Sequence, residues 1–239
     1  MGKVYAVGVG PGSPKYVTEI VKEIVLNCDI VIGYQYTLKT IQDLIGNKEV
    51  YEITMNDQED SYQKILPELG SRTLVIPFTG DVNFSESEVV DRLIEIFGEI
   101  EIIPGISSIQ VAASKAQVPL DKSKVITMHV TTPIEDKKLE LQKALIDGFS
   151  VILVPRPWPK QPDKHFMPSE IAAYLRKNNF ETGKMKVHVF ESITTEDETV
   201  FEGTVSDLEG KEFSDLSVMV FNQASLDSYM NYKWQWKNN

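Results

Sequence analysis

From Lys3 to Ala116 the chain alternates short apolar runs with stretches of helical spacing, and few folds accommodate that alternation. The runs Lys3–Val9, Asp29–Gly33, Glu49–Ile53, Arg72–Thr79 and Glu99–Ile103 have the length and composition of buried strands. Pro14–Leu26, Thr37–Ile45, Ser61–Leu69 and Ser87–Phe97 lie between them, and Ser107–Ala116 follows. These carry apolar residues at helical intervals, as Val17, Ile20, Val21, Ile24 and Val25 do in the first. Strands separated by helices predict a mostly parallel sheet covered on both faces.

The pattern changes after Pro119. A strand over Lys124–Val130, a helix over Glu135–Ile146 and a strand over Ser150–Val154 are followed by a loop, Arg156–Lys164, with Pro157, Pro159 and Pro162. After a helix over Pro168–Asn178 come three strand-like runs, Lys186–Ser192, Glu198–Thr204 and Leu216–Asn222, with no helix between them. Consecutive strands of this kind predict antiparallel pairing, so the second sheet is expected to be mixed. The expectation is an α/β protein of two α/β domains, residues 1–118 and 119–239. The tail from Tyr229, with Trp234 and Trp236, is left as a docking or irregular segment.

Net charge narrows the partners. With 24 basic and 35 acidic residues the chain carries −11, a field that repels phosphate backbones, so nucleic acid is not an expected partner. No run of 18 apolar residues and no basic-then-apolar leader is present, so no membrane partner is expected and the location is expected to be cytoplasmic. The single cysteine, Cys28, lies in an apolar stretch and is expected to be a buried structural thiol. No Cys/His cluster has zinc spacing, and no protein-bound metal is expected.

In open α/β sheets ligands gather beyond the carboxyl ends of strands, and three strand ends carry unusual residues. Gly8-Val9-Gly10-Pro11-Gly12-Ser13-Pro14 follows the first strand. Its glycines permit close approach of a ligand, Ser13 suits an N-cap and Pro14 a first helical turn. Gly8 and Gly10 match the first two glycines of a dinucleotide fingerprint, but Ser13 replaces the third, and no Gly-Lys-Ser/Thr follows to make a phosphate loop. Phe78-Thr79-Gly80-Asp81-Val82-Asn83-Phe84-Ser85 follows the fourth strand and sets a carboxylate where a ribose diol or an amine could be bound. Ile103-Pro104-Gly105-Ile106-Ser107-Ser108-Ile109 follows the fifth. Each segment also has a plain reading as a strand-to-helix turn with a capping side chain. Strand order decides whether the three meet.

The first segment, with Thr18, resembles the N-terminal signature of the tetrapyrrole (corrin/porphyrin) methylases. Gly80-Asp81 with Ser85 resembles that family's Gly-Asp-Pro loop, Val82 standing for the proline. Pro104–Ser108 with Gln110 is similar to the branch that methylates C5 of cobalt-precorrin-7. Val187–Glu191 and Glu196–Gly203 resemble the same branch. Where that branch has Ser-Leu-His-Gly-Arg this chain has Thr127-Met128-His129-Val130-Thr131, which keeps the histidine and lacks the glycine and arginine.

The resemblance implies an S-adenosylmethionine (SAM)-dependent methyltransferase of cobalamin biosynthesis, a corrin substrate, two α/β domains with SAM between them, and a homodimer. It implies cofactor contacts from Gly80, Asp81, Phe84, Ser107, Ser108 and Leu153 or Val154, and a Val9-Gly10-Pro11-Gly12 loop facing the substrate. A separate protein for the C15 methylation and decarboxylation is implied as a partner. Another ring position, or a diphthine synthase acting on a protein, is the alternative within the superfamily. His129 is the candidate general base, since methylating a ring carbon leaves a proton to be removed. Arg156 and Lys160 are candidates for pairing with substrate carboxylates. His165 is expected at the surface and His188 packed within a strand.

Overall fold

The computed structural model describes residues 2–84, 87–158 and 165–223. Ser85, Pro159, Lys160, Pro162, Trp234 and Trp236 lie outside the described residues. The chain divides into two compact units, one up to Ser108 and one from Ile109 onward.

The first unit is built on β1 (Val4–Gly8), β2 (Ile30–Tyr34), β3 (Glu49–Ile53), β4 (Leu74–Phe78) and β5 (Glu101–Ile103). Among the described residues they form one sheet in the order β3-β2-β4-β1-β5, and every pairing is parallel. Alternation along the strands supplies both cores. Val4, Ala6, Ile30, Ile32, Leu74, Ile76 and Phe78 face α4 (Gln58–Leu69) and α5 (Ser87–Phe97) through Tyr62, Ile65, Leu69, Leu93 and Phe97. Val7, Val31 and Val75 face α1 (Glu19–Asn27) and α2 (Gln35–Thr40) through Val21, Val25 and Leu38. Cys28 belongs to this second cluster. Burial pushes its thiol up to about 11, and its Sγ–H donates to the Val25 carbonyl at 3.2 Å, so it is a packed, unreactive group.

Two helices differ from the periodicity. Pro14–Leu26 splits into a 3₁₀ turn, Pro14–Tyr16, and α1. Ser13 accepts the Lys15 N–H and Pro14 starts the turn, but Val17 and Thr18 then adopt extended backbone, so the helix begins again at Glu19. Thr37–Ile45 likewise becomes α2 and α3 (Gln42–Ile45), broken where Ile41 sits at φ −112°, ψ 13°. The apolar spacing survives both breaks, which is why spacing alone joined the pieces.

In the second unit α6 (Ser108–Lys115), whose first residue closes the first unit, leads to β6 (Ser123–Thr127), α7 (Glu135–Ile146) and β7 (Ser150–Val154). α8 (Pro168–Lys177), β10 (Lys186–Glu191), β11 (Thr199–Thr204) and β12 (Ser217–Phe221) follow. The sheet order is β11-β10-β12-β7-β6, with β6 and β7 parallel and the other pairs antiparallel, a mixed sheet. Leu141 and Leu145 of α7 and Ile171 and Leu175 of α8 pack on Val151, Leu153, Val187, Val189, Met219 and Phe221. The expected loop Arg156–Lys164 is corrected at its start: β8 (Arg156–Pro157) pairs antiparallel with β9 (His165–Phe166). A proline is tolerated in so short a ribbon because it can present its missing N–H away from the partner strand.

Gly8 and Gly105 are fixed by close approach. A Cβ on Gly8 would lie 2.5 Å from the Gly80 carbonyl oxygen and 2.6 Å from the Gly105 nitrogen, and one on Gly105 would collide with the Gly80 and Gly8 carbonyls. Because the colliding atoms are backbone, Gly105→Ala is expected to cost about 3 kcal/mol, the upper end for overpacking. Gly98→Ala, at φ +79° with nothing nearby, should cost only about 1 kcal/mol. Urea unfolding of both variants checks the contrast; equal losses would refute the close-packing account.

Candidate functional site

Because β1 lies between β4 and β5, the three loops after these strands share the carboxyl rim of one sheet. They do more than adjoin. The Val9 N–H donates to the Phe78 carbonyl at 2.9 Å, and Gly10 and Gly80 form an isolated antiparallel bridge with N–H donations of 2.8 and 3.3 Å. Gly80 makes that bridge at φ +73°, a conformation that side chains disfavour. Gly80 is buried against the third loop, with Ser107 Cα and Oγ and the Ser108 nitrogen 3.7–3.9 Å from where a Cβ would stand, ordinary packing distance.

Asp81 ties the second loop to the third. One carboxylate oxygen accepts the Asn83 N–H at 2.8 Å, and the other accepts the Gly105 N–H at 2.9 Å. Each oxygen keeps a lone pair for a further donor. The Phe84 N–H closes the turn on the Asp81 carbonyl at 3.0 Å, and the Phe84 ring is half-buried. Ser107 is buried and Ser108 opens α6. Val82, where the family pattern has proline, is fully buried in the core against α4 and α5.

The first loop is mostly backbone at this rim. Val9 puts its side chain in the α1 core, Gly10 and Pro11 are buried, and Gly12 is half-buried. Thr40 was not singled out from the sequence, yet its hydroxyl lies 3.2 Å from the Gly12 carbonyl and 3.0 Å from the Tyr36 carbonyl, pinning loop one to α2. Nothing in the local sequence marks Thr40, because the contact spans 28 residues.

The second unit holds the remaining candidates at the carboxyl ends of β6 and β7. His129 is corrected from a strand residue to a loop residue, since β6 ends at Thr127 and the Val130 N–H turns back to the Met128 carbonyl. Its ring meets Trp158 edge to face, centroids 5.0 Å apart. Burial holds the His129 imidazole below its ordinary value of 6.5, with Asp215 opposing weakly, so the ring is neutral at pH 7. Arg156 is 2% exposed, lies over the same Trp158 ring with Cζ 5.6 Å from the centroid, and donates from Nη2 to the Thr131 carbonyl at 3.2 Å. Trp158 was not among the sequence candidates, although an aromatic residue just past a parallel strand end was visible there. Leu153 is fully buried in the core, whereas Val154 is half-buried at the strand end. His165, in β9, is half-buried with Nδ1 3.7 Å from Glu170, and His188, in β10, stacks on Phe190. Among the described residues no three His, Cys, Asp or Glu side chains gather to hold a metal, and no helix is long and apolar enough to cross a membrane.

A rim of glycine turns on a five-stranded parallel sheet, followed by a unit with a mixed sheet, is an architecture shared with solved structures. The fold matches the methyltransferase CobJ with a TM-score of 0.75 at 20% identity, over 94% of this chain and 95% of that one. It also matches the cobalamin biosynthesis precorrin-6Y methylase (cbiE) from Archaeoglobus fulgidus, with a TM-score of 0.65 at 21% identity over 93% and 99%. A Methanocaldococcus jannaschii protein described as "Probable cobalt-precorrin-7 C(5)-methyltransferase" is 28% identical over 222 residues, 91% of this chain and 97% of the relative. The model of the tetrapyrrole (corrin/porphyrin) methylases matches residues 3–209, and the chain belongs to that family. It is a methyltransferase.

Asp81→Ala removes both backbone ties and is expected to lower stability by about 2 kcal/mol with no ligand present; unchanged urea unfolding would assign the carboxylate to ligand alone. The His129 shift has a defined sign. The unfolded imidazole binds its proton more readily than the buried one, so this contribution is intact above the ordinary value of 6.5 and is lost as pH falls below it. Unfolding at about pH 7.5 and about pH 5.5 should show His129→Gln losing less stability on acidification than the wild type.

Proposed function

We propose that the chain is a SAM-dependent C-methyltransferase of cobalamin biosynthesis that methylates C5 of cobalt-precorrin-7 or its metal-free counterpart. The joined rim of loops after β4, β1 and β5, in a chain aligned almost end to end with a relative of that description, carries the proposal. The residues at the rim fit an adenosine. Asp81 has a lone pair left on each oxygen to accept a ribose hydroxyl, and Gly80 packs directly on the third loop. Ser107 and Ser108 stand next to it, and Phe84 offers a half-buried apolar face. In the second unit Leu153 is committed to the core, so of the pair Leu153 and Val154 only the half-buried Val154, at the end of β7, is left to meet a ligand. Bound SAM supplies an electrophilic methyl group, so the chain need not furnish a nucleophile.

The protein's own contribution is then to hold and orient the methyl acceptor, exclude water, and take up a proton. Gly10, Pro11 and Gly12 present a close backbone surface for the substrate, with Val9 anchoring it from the core. A ring nitrogen of His129, neutral because the ring is buried, is the proton acceptor in this reading. The family likeness also supports a homodimer, a cytoplasmic location and a separate C15-methylating decarboxylase as a partner.

Incubation with SAM and corrinoid precursors, followed by NMR location of the new methyl, tests the reaction, and a methyl at any carbon but C5 overturns the ring assignment. Calorimetry with S-adenosylhomocysteine should show one site per chain. Asp81→Ala should weaken it about tenfold, the equivalent of one charged hydrogen bond.

A further inference from the structure

Two residues of the second unit hold a backbone conformation that their side chains oppose. Ser192 sits at φ +46° and Thr194 at φ +73°, in the turn between β10 and β11. A Cβ disfavours the left-handed region, and a β-branched residue such as threonine is a true outlier there. The other described non-glycine residues at positive φ are Gln117 and Asn179, and each closes a helix. The Val118 N–H returns to the Ala113 carbonyl after α6, and the Phe180 N–H to the Leu175 carbonyl after α8. Ser192 and Thr194 follow a strand and have no helix end to close.

What holds Thr194 is a carboxylate. Glu198 Oε2 accepts the Thr194 N–H at 2.6 Å, and Glu198 Oε1 pairs with Lys115 Nζ at the end of α6. Burial pushes the Glu198 carboxyl up, but Lys115 and the Thr194 N–H outweigh it and leave it below the ordinary value, ionised at pH 7. Lys115 is set in its turn by α6, whose Val111, Ala112 and Ala113 are buried. Lys115 and Glu198 are 83 residues apart, so their pairing is no part of closing the hairpin. Inside the turn the Ser192 carbonyl accepts the Thr195 N–H at 3.1 Å and the Thr195 hydroxyl at 2.7 Å, and Ile193 is buried between the two left-handed residues.

A turn that only joined β10 to β11 could relieve this strain with glycine. Its place in the sheet gives the strain a use. β7 and β10 both run antiparallel to β12, and β6 runs parallel to β7, so β10 ends at the same rim as β6 and β7. That rim carries Val154 and, just past β6, His129. Strained backbone persists only where its surroundings over-determine it, and it gathers at ligand sites.

We propose that Glu198 and Lys115 are positioning residues that set the Ser192–Thr194 backbone as a rigid ligand contact on the rim of the second unit. The clamp follows from the turn itself; only the identity of the ligand, the cofactor, rests on the function proposed above.

Calorimetry with S-adenosylhomocysteine and ligand-free thermal melting of the whole chain test this. Glu198→Ala and Lys115→Met should each weaken binding about tenfold, the size of one residue's backbone strain, by letting Thr194 relax. Glycine rests at φ +73° without help, so Thr194→Gly alone should melt no lower than wild type and keep its affinity. Added to either clamp variant, Thr194→Gly should restore most of the lost affinity, a rescue that simple hairpin closure does not give. Lys115→Met, which changes the exposed partner, decides the matter if Glu198→Ala does not fold. Unchanged affinity in the clamp variants, no rescue by Thr194→Gly, or a lower melting temperature in Thr194→Gly alone overturns the proposal. Failure of S-adenosylhomocysteine to bind wild type would instead count against the methyltransferase reading of the rim. Melting then decides the clamp: Thr194→Gly must recover the stability lost in Lys115→Met, and no recovery overturns it.

Discussion

The first unit depends on three backbones meeting without side chains between them. Gly8, Gly80 and Gly105 pack carbonyl against α-carbon at the rim of β1, β4 and β5, and the Gly10–Gly80 bridge continues the sheet's hydrogen bonding past the strand ends. Side chains here would push the loops apart, and the carboxylate of Asp81 could no longer reach the Gly105 N–H. Rigidity in this place has a functional meaning. A site that orients two reactants gains most when its own groups need no reorganisation, and Asp81 is already held by two donors before any ligand arrives.

The second unit contributes a different kind of group. Its strand ends carry a neutral imidazole and a buried guanidinium, each set against the same indole. Such a stack is a poor way to stabilise a domain, since burying the cation works against folding. The hydrophobic face that α7 and α8 share with β7, β10 and β12 offsets that cost. The same division, with stability in the sheet and unfavourable polar groups at strand ends, is common at sites where ligands complete the hydrogen bonding.

Much of the fold was legible because strands and helices announce themselves by period. β3, α5, α7 and β7 fall on the expected residues, and the change from parallel to mixed pairing was visible in the run of strands after Lys186. Helix breaks at Val17 and Ile41 were not legible, because the apolar spacing continues across both while the backbone does not. The β8–β9 ribbon escaped notice because prolines mark turns and edges alike. Among site residues, Asp81 was found from its place after a strand, but its tie to Gly105 was not, since that bond joins residues 24 apart. Trp158 was overlooked because its partner His129 meets it only once β6 and β7 lie side by side.

By itself the sequence determined the number and kind of elements, the position of the glycine turns at strand ends, and the family they resemble. These are properties of short segments, set by side-chain period and by which residues tolerate tight turns. Only the tertiary structure decided that β1 lies between β4 and β5, so that three separate turns become one rim. Only it placed Val9 and Leu153 in cores and buried Arg156 with its Nε lacking a hydrogen-bond partner. Strand order and burial arise from contacts between residues far apart in the chain, and no local pattern encodes which of several parallel strands will be neighbours.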